Sequence, residues 1–133
     1  MSSELIGPLM TKDRMPHCVL IVDDSATIRK IIRAQCEAAG LEVCGEAADG
    51  LEAIEKAKEL NPDLIIMDLS MPRMNGLDAA RELKRICPDV PILLNTLHAD
   101  VLRGQRELPV GVTEVVAKTE DLMARVLVTL VFA

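Results

Sequence analysis

The chain has 133 residues, half of them apolar, a formal net charge of −6, and one Phe with neither Tyr nor Trp. That length and composition allow one domain with an aliphatic core. The acidic balance speaks against a nucleic-acid binder, which carries a basic patch or stripe. No signal peptide is evident and no apolar stretch is long enough to span a bilayer.

The four cysteines, Cys18, Cys36, Cys44 and Cys87, show no C-x-x-C spacing. They suit neither a disulfide framework nor a zinc site, and read as buried thiols of a reducing cytoplasm. Residues 1–16 are broken by Gly7-Pro8 and Pro16 and read as a loose arm or a remnant of expression. From His17 the pattern tightens. Cys18 to Val22 is a short buried strand ending in Asp23-Asp24, with Ser25 able to cap a helix. Ile28, Ile31, Ile32, Cys36 and Ala39 recur at helical spacing until Gly40. Glu42 to Ala47 is a weaker, more exposed strand suited to a sheet edge. Asp49-Gly50 turns the chain, and Ala53, Ile54, Ala57 and Leu60 stripe a second helix closed by Asn61-Pro62.

Leu64 to Met67 is apolar on both faces, as strands of a parallel sheet are, and ends on Asp68. A turn rich in Pro and Gly follows. Gly76 opens a third helix with Leu77, Ala80, Leu83 and Ile86 or Cys87 inward, and Pro88 ends it. Pro91 to Thr96 is a fourth strand, its Pro at the first position. Asp100 to Leu108 suits a short helix, Val112 to Ala117 a fifth strand ending at Lys118, and Glu120 to Val131 a last helix. In that helix Leu122, Val126 and Leu130 lie on one line, with Met123, Leu127 and Val131 beside it. The β-branched content makes a strand the competing reading for residues 126–132.

Five strands alternating with five helices demand right-handed crossovers and a mainly parallel sheet with helices on both faces. All strand ends then point one way. Asp23, Asp24, Asp68, Thr96 and Lys118 should converge on one edge, where ligands collect in such sheets. One pair of like charges about 4 Å apart costs roughly 4 kcal/mol at an effective dielectric near 20. A proton or a cation must offset this, and hard oxygen ligands at an open edge suit Mg²⁺. Asp68 could attack a phosphoryl group and form an acyl phosphate. The Thr96 hydroxyl and Lys118 ammonium could each hold a phosphoryl oxygen. Taken singly, each residue has a plainer use: turn capping for Asp68, helix N-terminal charge for Asp23 and Asp24, solvation for Lys118. His17 and His98 lack ligand spacing.

Val22-Asp23-Asp24-Ser25, Asp49-Gly50-Leu51-Glu52-Ala53, Met67 to Gly76, Thr96 and Lys118 together resemble the receiver domain of bacterial two-component response regulators, over about residues 17–131. The resemblance implies a flavodoxin-like α/β fold, (βα)5, with strand order 2-1-3-4-5, so that residues 17–133 form one receiver domain. It implies that Asp68 accepts a phosphoryl group from the phosphohistidine of a sensor histidine kinase or a phosphotransfer protein. It implies direct Mg²⁺ ligation by Asp24 and Asp68, water-mediated ligation by Asp23, and a further ligand from the Ser70 carbonyl. Thr96 and Lys118 would contact the phosphoryl oxygens. Such a domain accepts phosphate and self-dephosphorylates without being a turnover enzyme, works in the cytoplasm, and binds neither nucleic acid nor membrane by itself. A homodimer could form through the fourth helix, fifth strand and fifth helix.

Departures from the family pattern cluster late. Val115 stands where a Tyr or Phe is usual, Leu97 where a small residue follows the threonine, and Thr119 where a Pro follows the lysine. Two rival readings follow. One is a pseudo-receiver that works as a binding module without phosphorylation. The other is a Mg²⁺-dependent phosphohydrolase, which would want a second Asp near Asp68 and a cap; Ser70 stands at that place and no cap segment exists. The ending Leu130 to Ala133 is compatible with a stand-alone regulator and with a domain excised from a longer protein.

Overall fold

The computed structural model describes residues 17–132. The arm read over residues 1–16 lies outside them. The strands are β1 (Cys18–Val22), β2 (Glu42–Ala47), β3 (Leu64–Asp68), β4 (Ile92–Thr96) and β5 (Glu114–Ala117). The helices are α1 (Ala26–Ala38), α2 (Gly50–Leu60), α3 (Gly76–Ile86), α4 (Ala99–Arg103) and α5 (Leu122–Phe132). All pairings are parallel and the order is β2-β1-β3-β4-β5, the flavodoxin-like arrangement.

Strand alternation divides the core. Leu20, Val22, Ile65, Met67, Ile92, Leu94 and Val115 face α2, α3 and α4. Val19, Ile21, Leu64, Ile66, Leu93 and Val116 face α1 and α5. Small residues (Ala53 and Ala57 on α2, Ala79 and Ala80 on α3) meet the first face, so aliphatic strands fill the space without aromatics. Each fully buried Leu or Ile contributes roughly 1.5–3 kcal/mol.

The helix starts follow their caps. Ser25, Asp49 and Asn75 accept the N–H groups of Ile28, Glu52 and Asp78. Gly76 is confined by close approach, since a Cβ there would stand 2.2 Å from the Asp68 carbonyl oxygen.

Four expectations are corrected. Cys18 and Cys44 form a disulfide across β1 and β2, with Cα atoms 5.3 Å apart, while Cys36 and Cys87 remain thiols. The pairing jumps from Val19–Val43 to Leu20–Gly45, so Cys44 is the bulged residue. Parallel strands bring the two cysteines together across 26 residues, a contact that no local spacing announces. In α1, Ile31 is half exposed rather than inward. β5 begins at Glu114, because the Thr113 hydroxyl accepts the Ile92 N–H and the strand ladder starts only beyond it. The fourth is the helix expected over Asp100 to Leu108, which covers Ala99–Arg103 and ends at Gly104. The last segment is the expected helix, running through Phe132, and the competing strand reading falls. Its inward face includes Thr129, whose hydroxyl donates to the Arg125 carbonyl at 2.8 Å, and Leu127 and Val131 face out. Among the described residues no helix is long and apolar enough to cross a membrane.

Candidate functional site

The carboxyl ends of β1, β3, β4 and β5 meet as the topology requires. Asp23 follows β1 and its N–H donates to the Ala47 carbonyl at 3.0 Å. Its side chain is held as well, since Oδ1 accepts the Ser25 N–H at 2.9 Å. Asp68 is the last residue of β3, and its Oδ1 accepts the Leu69 N–H at 2.9 Å. Asp23 and Asp68 are 2% and 8% exposed, whereas Asp24 faces solvent. Carboxylate oxygens of all three lie within 4.8 Å of one another.

Lys118 closes the group. Its Nζ stands 3.2 Å from Asp23 Oδ2 and 3.2 Å from Asp68 Oδ1. Its backbone N–H donates to the Thr96 carbonyl at 3.0 Å, which ties the end of β5 to the end of β4. Thr96 is buried, and its Oγ1 accepts the His98 N–H at 3.0 Å. A cleft of about 170 Å³ opens between these ends, lined by Asp68, Ser70, Thr96, Leu97, His98 and Lys118. All six residues singled out in the sequence therefore border one acidic edge.

Three carboxylates against one ammonium leave a local charge of −2 when all are ionised. Burial, and next the Asp23 charge, push the Asp68 carboxyl above its ordinary range, and Lys118 offsets only part of this. For Lys118, burial acts downward, but Asp23 and Asp68 together outweigh it and hold the ammonium up. The edge thus carries uncompensated negative charge on hard oxygen donors, two of them buried. That donor set fits a small divalent cation such as Mg²⁺.

Sequence reasoning missed two arginine contacts. Arg73, in the turn after β3, donates from Nε to Asp49 Oδ2 at 2.8 Å. Arg103, at the end of α4, donates to the Val115 carbonyl (2.7 Å from Nη2) and to Glu120. The Ala117 N–H also donates to Glu120. Arg103 therefore grips the strand at the atypical Val115. Neither arginine carries a local signal, since its partner is 24 or 12 residues away.

The family model "Response regulator receiver domain" matches residues 19–128. The chain belongs to the response regulator receiver domain family. This receiver domain is 50% identical over 76 residues to the chemotaxis protein CheY of Thermotoga maritima, covering 57% of this chain and 63% of that protein. It is 46% identical over 106 residues to the transcriptional regulatory protein PdtaR of Mycobacterium tuberculosis, covering 77% of this chain and 51% of that one. The match spans only 21% of a protein-glutamate methylesterase/protein-glutamine glutaminase of Pyrococcus horikoshii, so it spans less than two thirds of each of these curated relatives. Among solved structures, a LuxR-family two-component response regulator from Aurantimonas sp. SI85-9A1 superposes with TM-score 0.77 at 30% identity, over 86% of this chain and 85% of that one. The CheX-CheY-BeF3-Mg complex from Borrelia burgdorferi gives 0.75 at 25% identity, over 92% and 94%.

Proposed function

We propose that this receiver domain is the phosphoacceptor of a two-component phosphorelay, with Asp68 as the acceptor. The observation that carries the reading is the Lys118 ammonium, 3.2 Å from both Asp68 and Asp23, at an edge where three carboxylates lie within 4.8 Å. An Asp68 carboxylate oxygen attacks the phosphorus of a phosphohistidine, the N–P bond breaks, and the imidazole leaves with a proton from solvent. Lys118 and the Thr96 hydroxyl hold the phosphoryl oxygens on the acyl phosphate. Asp23, Asp24, Asp68 and the Ser70 carbonyl would hold Mg²⁺, which when bound neutralises charge on the transferring group. Such a domain is spent once per phosphoryl transfer and restored by hydrolysis, so it acts as a switch rather than a turnover enzyme.

The donor would be a sensor histidine kinase or a phosphotransfer protein, in the cytoplasm. Residues 17–133 would form the receiver unit. Exposed Val101 on α4 and Leu127, Val128 and Val131 on α5 support a homodimer through the α4–β5–α5 face.

Incubation with acetyl phosphate and Mg²⁺ tests the reading. One phosphate per chain, labile to alkali and hydroxylamine as an acyl phosphate is and lost in Asp68→Asn, is expected. Absence of label in the native chain, with phosphohistidine donors failing too, would leave the pseudo-receiver reading. Sustained turnover of added phosphomonoesters would make it a hydrolase.

A further inference from the structure

The turn between β3 and α3 carries Ser70 and is not free-standing. Arg73 within it adopts φ of 63°, a left-handed conformation that an arginine takes only under constraint. The other non-glycine residue of positive φ among those described is Asn61, which ends α2 in a conformation Asn tolerates. The constraint on Arg73 comes from across the sheet edge. Its Nε and Nη2 both meet Asp49 Oδ2 at 2.8 Å. Asp49 is itself fixed, because its Oδ1 accepts the Glu52 N–H as the cap of α2.

One residue along, the Gly50 N–H donates to the Met74 carbonyl at 2.9 Å. A Cβ on Gly50 would stand 2.7 Å from that oxygen, so the backbones touch. The turn is thus strapped to the start of α2 by a charged pair and a backbone bond at adjacent residues. Asp49 is buried while the Arg73 side chain is largely exposed. The Glu52 N–H, and then Arg73, keep the Asp49 carboxyl below its ordinary range, so both partners are charged at neutral pH.

We propose that Arg73 and Asp49 are positioning residues for the cation site. Their pair sets the turn bearing Ser70 against the end of β3, so that Ser70 and Asp68 act on one cation without prior ordering of the turn. This rests on the proposal that Asp23, Asp24, Asp68 and the Ser70 carbonyl hold Mg²⁺. Neither strap residue is one of those donors.

The test is Mg²⁺ affinity, read from amide shifts of the full chain titrated with MgCl₂, beside thermal melts in EDTA. Arg73→Ala and Asp49→Asn should each weaken Mg²⁺ binding by about tenfold, the usual effect of losing a group that orients a ligand. Asn still caps α2, so Asp49→Asn removes the pair and keeps the helix start. The double variant should be no weaker than either single one, because both break the same link. Arg73→Gly relieves the left-handed strain and should melt as the native chain does in EDTA, yet bind Mg²⁺ as weakly as Arg73→Ala. Affinities within threefold of native in both single variants would overturn the strap while Asp68→Asn still abolished binding. A native chain that bound no Mg²⁺, or bound it equally after Asp68→Asn, would overturn the cation site and the strap with it.

Discussion

The two halves of the sheet edge are held in different ways. On one side, Asp23 and Asp68 emerge from strands whose residues are almost wholly buried, and the turn beyond Asp68 is tied back to α2. On the opposite side, α4 is a five-residue helix that bears exposed Val101, with exposed Leu97 just before it. What fastens it to β5 is the burial of Ala99 and Leu102 beside Val115 together with polar contacts, the Arg103 guanidinium on the Val115 carbonyl and Glu120. Packing of aliphatic strands gives Asp23 and Asp68 fixed positions. A five-residue helix with two buried side chains and an exposed ion pair can shift at smaller free-energy cost than a buried strand.

The largest expected effects come from two glycines, one at the site edge and one at the opposite end of the sheet. A Cβ on Gly76 would meet the Asp68 carbonyl oxygen at 2.2 Å, and one on Gly111, where φ is +88°, would meet the Ala80 carbonyl oxygen at 2.2 Å. Alanine at either should destabilise the fold by about 3 kcal/mol, as overpacking against backbone does. Only Gly76→Ala should also weaken Mg²⁺ binding, because it displaces the end of β3. Equal Mg²⁺ affinity in the two variants, measured beside urea melts, would erase the distinction between the site edge and the rest of the sheet.

Next is the disulfide between β1 and β2, on the Asp23 side of the sheet. Its 26-residue separation corresponds to about 3.5 kcal/mol of loop-closure entropy, which strain and residual structure reduce. Thermal melts should drop on adding dithiothreitol, and Cys44→Ser should melt at the reduced value under both conditions. Cys36 should resist alkylation throughout, since burial pushes its thiol up to about 11. A melt unmoved by reductant would place the strength of the β1–β2 edge in its hydrogen bonds alone.

The smallest effect is in the other half and reads as mobility rather than stability. Arg103, and then the Ala117 N–H, hold the Glu120 carboxyl down to about 2. Its folded value lies below the ordinary 4.5, so the link is complete above that pH and is lost as pH falls toward about 2. Amide exchange across α4 should quicken over that window in the native chain and be fast at all pH values in Arg103→Ala. Unchanged exchange in the variant would mean that burial of Ala99 and Leu102, not the ion pair, holds α4.

Much of this was legible in residue order because the relevant signals are local. Apolar runs of four or five residues, each closed by a turn, mark strands. Stripes at helical spacing mark the helices between them. Together they force parallel crossovers, which carry Asp23, Asp24, Asp68, Thr96 and Lys118 to one edge whatever the side-chain detail. Boundaries shifted where a side chain took over a backbone bond. Thr113 delays β5, and Asp121, whose Oδ1 accepts the Ala124 N–H at 3.2 Å, caps α5 so that it starts at Leu122.

The sequence by itself determined the alternation of strands and helices, the acidic edge and the family. These follow from periodicity and from residue types at strand ends, which neighbours in the chain reveal. Only the tertiary structure decided that Cys18 meets Cys44, that Arg73 straps the Ser70 turn to Asp49, and that Arg103 grips the strand at Val115. Each joins residues 12 to 26 positions apart. Such pairs depend on strand register and helix placement, so they come into being only once the sheet has formed.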